Sequence, residues 1–289
     1  MRREQLWAWA LILPALVMLV GFTHWPAVAT LWDSLYSTPR GSRPPVFVGG
    51  ENFTDLLDDP VFFIALANNA WYAAVTIPAS VALSLLMALS VNTARPGRAL
   101  VRMAYFTPTI LPMIAVANIW LFFFTPDYGL FDQILAVFGG GRHNWLGETS
   151  TALPAMMAVA VWKEAGFFMI FYLAALQSMP PDLAEVGRLE GSSRWNFFWR
   201  VTWPLLMPTT LFVMVNAVIN AFRLIDHVVV MTRGGPNNAT NLLLYHIYEA
   251  GFRFWDTAAA ATMTVVLLVI LGVIAALQFG VLGRKAHYR

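Results

Sequence analysis

The chain has 289 residues, of which 58% are hydrophobic and 12% charged, against about 25% charged in an ordinary soluble domain. So little charge cannot cover a water-soluble globule of this size, and 18 basic against 16 acidic residues, with no contiguous basic tract, exclude a nucleic-acid reader. Cysteine is absent, which removes disulfides, thiolate metal sites and cysteine nucleophiles.

The apolar residues fall in runs near the ~20 that a helix needs to cross hydrocarbon. In chain order they predict six spans, roughly Leu6 to Leu31, Asn69 to Val91, Leu100 to Phe124, Thr151 to Leu176, Thr202 to Phe222 and Ala258 to Phe279. The expectation is an all-α membrane protein with six transmembrane helices, residues 1–289 forming a single domain in a lipid bilayer. The first run is too long for a cleaved signal peptide. An even span count puts both termini on one side. Positive residues near span ends are retained in the cytoplasm. With the N-terminus inside, the inner segments hold Arg2, Arg3, Arg95, Arg98, Arg102, Arg188, Arg194, Arg200, Arg284, Lys285 and Arg289. The outer loops hold Arg40, Arg43, Arg142, Arg223, Arg233 and Arg253, diluted by Asp55, Asp58, Asp59, Asp127 and Glu148. Both termini are therefore expected in the cytoplasm.

Trp25, Trp32, Trp71, Trp120 and Trp203 lie toward span ends, where an indole meets headgroups. Pro78, Pro108, Pro112 and Pro204 each remove one helical hydrogen bond and invite a kink. Between the fourth and fifth spans, Pro180 to Trp195 is too polar to cross. Pro181 and Asp182 are helix-start chemistry, and Leu183, Val186, Gly187 and Glu190 share one side of that helix. Gly191 then turns the chain, and a second short helix bearing Trp195, Phe197, Phe198 and Trp199 is expected to run along the membrane surface into Pro204. This helix-turn-helix knob suits docking into a partner's groove.

The knob resembles the coupling loop of ATP-binding-cassette importer permeases, E-A-A, then D-G-A, a phenylalanine and L-P. The matching positions are Glu185-Val186-Gly187, Glu190-Gly191-Ser192, Phe198 and Trp203-Pro204; the first glutamate, the turn glycine, the phenylalanine and the proline hold. The resemblance implies a coupling loop at about 180–204, with Glu185, Gly187, Glu190, Gly191, Arg194, Phe198 and Pro204 meeting an ATPase subunit. A second match follows the fifth span: Thr232, Gly234-Gly235-Pro236, Ala239-Thr240, Tyr245 to Tyr248, Phe252 and Ala258 to Ala261, with Phe47-Val48-Gly49 and Asn52-Phe53 in the first outer loop. It is similar to the maltose and glycerol-phosphate type of carbohydrate permease, in the partner that carries G-G-P. The family implies a second homologous permease, an ATPase dimer that binds ATP and Mg, and an extracytoplasmic solute-binding protein.

Within the chain itself no G-x-x-x-x-G-K-[ST] loop exists, so it is not the ATPase and is expected to hold no cofactor. His24, His143, His227, His246 and His287 show no metal-ligand spacing. Lys163 and Glu164 stand near the middle of the fourth span, where charges face a cavity or a partner; each can also pair with a polar group on a neighbouring helix, or the lysine can snorkel. By the resemblance, solute contacts fall on Lys163, Glu164, Phe167, Asn220, Phe222 and Arg223. An aromatic there can cover a sugar ring, while Asn220, Glu164 and Arg223 can bond hydroxyls. Arg223 can equally pair with Asp226, three residues on. The expected function is an importer permease for a sugar, sugar alcohol, glycerol phosphate or anionic sugar derivative, without covalent chemistry. The competing readings are an ion-coupled secondary transporter and a membrane enzyme.

Overall fold

The computed structural model describes residues 2–39, 41–93 and 96–282, with side chains from residue 7 to 280 in those stretches. Arg40, Arg95, Arg284, Lys285, His287 and Arg289 lie outside the described residues, as do the side chains of Arg2 and Arg3. The chain opens on α1 (Arg2–Leu19), joined by a π-helical turn (Val20–His24) to α2 (Trp25–Asp33). After a loop with one antiparallel bridge, Tyr36 to Phe47, come α3 (Glu51–Leu57), the long α4 (Pro60–Val91), α5 (Arg98–Ile110), α6 (Met113–Phe123) and the short α7 (Leu130–Val137). Next are α8 (Ala152–Ser178), α9 (Pro181–Leu189), α10 (Arg194–Phe197), a second π-helical turn (Phe198–Thr202) and α11 (Trp203–Arg223). The chain closes with α12 (Asp226–Met231), α13 (Leu243–Tyr248), a third π-helical turn (Glu249–Arg253) and α14 (Thr257–Leu282).

Among the described residues five helical stretches are long and apolar enough to cross a membrane: Trp7–Asp33, Pro60–Val91, Ala152–Ser178, Arg194–Met231 and Thr257–Gly280. A sixth is the pair α5 and α6 taken as one span, bent by 103°. The expected third helix, Leu100 to Phe124, is thus broken rather than kinked. Leu111 is extended (φ −74°, ψ 137°), as the residue before a proline prefers, and Pro112 restarts the helix as its N-cap. Pro78 and Pro108 leave their helices continuous.

The expected surface helix is also corrected. Arg194–Met231 forms one stretch, so Trp195 to Trp199 continue into the fifth span. Pro204 has no N–H and its ring crowds the carbonyl of Arg200. The preceding π-helical turn absorbs this, with Trp203 N–H bonded to Phe198 O, five residues back. The same device stands before Trp25-Pro26, where Trp25 N–H bonds to Val20 O.

Two compact units divide the chain, residues 1–62 with 246–269 and residues 63–245 with 270–289. In the first, Asp256 caps α14 by accepting from Ala259 N–H at 3.0 Å and from the Thr38 hydroxyl at 2.6 Å. Asn52 donates to the carbonyls of Ser34 and Tyr36 at 2.8 and 2.9 Å. In the second, a core around Phe168, Met169, Tyr172 and Leu206 joins α4, α8 and α11.

The connection between α6 and α8, also in the second unit, is tied by Asp132. Its buried carboxylate accepts from Asp127 N–H (3.1 Å), His143 N–H (3.3 Å) and Trp145 Nε1–H (2.9 Å). These bonds, the Asp127 N–H first, hold its pKa below the ordinary 3.8. A depressed folded value gives stabilisation that is complete above 3.8 and fades as pH falls through the lower folded value. At neutral pH Asp132→Asn should reproduce that acid loosening, because an amide turns donors toward donors. Trypsin cleavage after Arg142, whose side chain pairs with Asp127 at 2.7 Å, should then quicken several-fold. An unchanged cleavage rate would show that the carboxylate does not hold the loop.

Candidate functional site

The knob begins with Pro181 in the first turn of α9 and ends in a Schellman motif. Ser192 N–H bonds Gly187 O at 2.9 Å and Gly191 N–H bonds Arg188 O at 3.1 Å, the paired bonds that satisfy a helix's last carbonyls. Gly191 sits at φ +70° with open space around its Cα, so its need for glycine is purely a backbone one. Ser193 then caps the next helix, accepting from Asn196 N–H at 3.2 Å. A Cβ on Gly187 would lie 2.7 Å from the Phe197 ring. That ring therefore rests on the bare Cα and fixes the angle between the knob's two arms. Leu183, Val186, Gly187, Glu190 and Arg200 line an open groove of about 550 Å³ between the arms. Glu185, Glu190, Gly191 and Arg194 are exposed around it, Phe198 is half-buried, and Pro204 opens the span beyond. The knob residues thus come together as one exposed feature.

The six positions on the fourth and fifth spans separate. Lys163 turns from α8 toward the break in α5, where Nζ donates to the carbonyls of Leu111 (2.7 Å), Pro108 (3.3 Å) and Thr109 (3.5 Å). Those carbonyls end a helix that Pro112 prevents from continuing, and hydrocarbon offers them no water. A cation at a helix C-terminus also meets its dipole favourably. Glu164 faces the other way and is hydrogen-bonded to the Asn220 side chain of α11. Phe167, one turn along from Glu164, is partly exposed and meets Phe171 edge-on at 5.2 Å. Arg223, one turn along from Asn220, is exposed. Phe222 instead enters an apolar recess with Ala70, Ile77 and Ile270.

Among the described residues Arg223 makes no ion pair with Asp226. The i, i+3 pairing needs a continuous helix, and Leu224 interrupts it in an extended conformation (φ −85°, ψ 109°). Arg223 closes α11 and Asp226 opens α12, so each charge meets the helix end that favours it.

Sequence reasoning passed over the polar residues of α4. Tyr72 Oη and His227 Nε2 are 3.1 Å apart, both fully buried. Asn69 donates to Ala221 O at 3.4 Å and accepts from Leu243 N–H at 3.3 Å. Asn68 donates to Asn238 O (2.7 Å) and Asn241 O (3.1 Å), holding the Gly234-Gly235-Pro236 loop. The available signal was two adjacent amides and, within four residues, a tyrosine in a mainly apolar span.

A chain helical throughout most of its described residues, with five apolar spans, a sixth that is broken and an exposed helix-turn-helix, has the architecture of a multi-pass transport permease. Residues 80–288 match the family of binding-protein-dependent transport system inner membrane components, and the chain belongs to this family of ATP-binding-cassette importer permeases. It is 30% identical over 279 residues to the sn-glycerol-3-phosphate transport system permease protein UgpA of Agrobacterium fabrum, covering 96% of this chain and 95% of that one. It is 31% identical over 270 residues to the trehalose/maltose transport system permease protein MalF of Thermococcus litoralis, covering 92% and 91%. Its fold superimposes on a chain of a bacterial transporter that imports the acidic polysaccharide alginate, with TM-score 0.86, 22% identity and coverage of 98% and 96%.

Proposed function

We propose that this permease imports a sugar or sugar-like solute, including anionic derivatives, as one half of a pathway completed by a second homologous permease. Its residues 1–289 act as one permease domain, with both termini in the cytoplasm. The knob at about 180–204 docks on an ATPase dimer that holds ATP and Mg, while an extracytoplasmic binding protein delivers the solute. The chain itself performs no covalent chemistry. ATP-driven closure of the ATPases moves the knob, and the attached spans rock between inward-open and outward-open arrangements.

The observation that carries this reading is the knob, whose Schellman turn at Gly191 and groove beside Glu190 form a preshaped docking element continuous with a span. An ion-coupled transporter has no use for such an element, and nothing in the family favours that alternative. Gly191→Val forces a β-branched residue to φ +70°, where even an unbranched side chain costs about 1–2 kcal/mol. Solute-stimulated ATP hydrolysis and transport by the assembled importer should fall together, with the spans still folded. Full coupling in a stable Gly191→Val complex would remove the knob from the ATPase contact.

A further inference from the structure

One face of the second unit carries a groove distinct from the one between the knob's two arms, with its mouth formed by the knob's second helix. It is about 770 Å³ in volume, lies between α4 and the continuous stretch formed by α10 and α11, and is walled almost wholly by apolar atoms. On α4 its lining runs from Ile77 to Leu89. At 1.5 Å per residue that is about 18 Å, close to the ~15 Å depth of one leaflet of a ~30 Å hydrocarbon core.

The chemistry changes abruptly at the knob end. Trp195, Trp199 and Trp203 form an edge-to-face ladder there, with ring centroids 5.5 and 5.8 Å apart, and Arg194 stands at the mouth. None of the three indole N–H groups has a protein acceptor among the described residues, and the Arg194 guanidinium has no ion-pair or hydrogen-bond partner there. Trp195 is 72% exposed and Trp199 46%. Free donors and one unpaired cation thus sit at the headgroup end of an acyl-length apolar trough. The apolar walls call for an extended apolar body, and the donors at the mouth for an anionic end rich in acceptors. A phosphodiester and its ester carbonyls would satisfy both ends.

We propose that this groove is a binding site for one anionic phospholipid, with an acyl chain along α4 and the phosphate on Arg194 and the tryptophan ladder. The occupied groove then couples the headgroup layer to the knob, because Arg194 and Trp195 belong to α10.

The test is native mass spectrometry of the purified full chain, exchanged through detergent into a mixture of phosphatidylglycerol and phosphatidylethanolamine. The unaltered chain should retain one phosphatidylglycerol. Ala82→Trp, which puts bulk on an exposed groove position, should abolish retention while leaving the melting temperature in place. Arg194→Gln, which leaves the groove's shape intact, should still retain lipid but lose roughly tenfold in preference for phosphatidylglycerol, the worth of one charge-assisted bond. Failure of the unaltered chain to retain lipid would overturn the site. So would unchanged retention in Ala82→Trp. If Ala82→Trp does not fold, Arg194→Gln decides alone, and an unaltered lipid preference overturns the proposal.

Discussion

Gly166→Leu is expected to abolish transport and sharply lower the thermal stability of the purified chain. A Cβ on Gly166 would lie 2.2 Å from the Tyr105 carbonyl oxygen of α5 and 3.1 Å from the Thr109 hydroxyl. The obstacle is backbone, so no rotamer relieves it; α5 must move bodily away from α8. Overpacking of this kind typically costs about 1–3 kcal/mol, and leucine adds bulk beyond Cβ. Three residues earlier, Lys163 holds the broken end of the same helix through Leu111 O, so separating the pair also strips the donor from carbonyls that hydrocarbon cannot satisfy. Lys163→Met isolates this second effect. It should cost about 1–3 kcal/mol, the penalty for unsatisfied buried groups, and lower the melting temperature less than Gly166→Leu does. Melting temperatures of the variants in detergent check the order. If Gly166→Leu melts with the unaltered chain, the close crossing of α5 and α8 is wrong. If Lys163→Met loses transport with no loss of stability, the lysine belongs to the solute pathway and not to the helix end.

The spans and the knob were legible in the sequence because their signals are local. A hydrocarbon-length apolar run declares a span wherever it stands, and Pro181 followed by Gly191 marks a short helix between its start and its turn. What was not legible depends on partners far along the chain. Pro108 and Pro112 look alike in sequence, yet only Pro112 breaks its helix, and the carbonyls it frees are met by Lys163, 52 residues beyond Leu111. Of the readings of Lys163, pairing with polar groups of a neighbouring helix is met by these carbonyls, while a solute contact rests on the family resemblance alone. The Arg223 to Asp226 pairing was a helix rule applied where Leu224 ends the helix. The tryptophans before Pro204 read as a separate surface helix because proline usually stops one, whereas here a π-helical turn carries the helix through.

Arg223→Gln is expected to remove most transport if the solute is anionic and to leave transport of a neutral sugar nearly intact. The guanidinium is exposed and unpaired by Asp226, at the end of α11 one turn beyond the Asn220 to Glu164 hydrogen bond. A free fork of that kind grips a phosphate or carboxylate through two parallel bonds. Charge-assisted bonds are worth roughly 1.5–3 kcal/mol each, so losing one weakens the bound state roughly 10- to 100-fold. Arg223→Lys separates charge from geometry: it keeps the cation but loses the fork, and should recover part of the transport of an anionic solute. Uptake by the reconstituted importer, compared between a sugar phosphate or uronate and the matching neutral sugar, reads both variants. Equal losses for charged and neutral solutes in Arg223→Gln would make the arginine a packing element and remove the reason to expect an anionic solute.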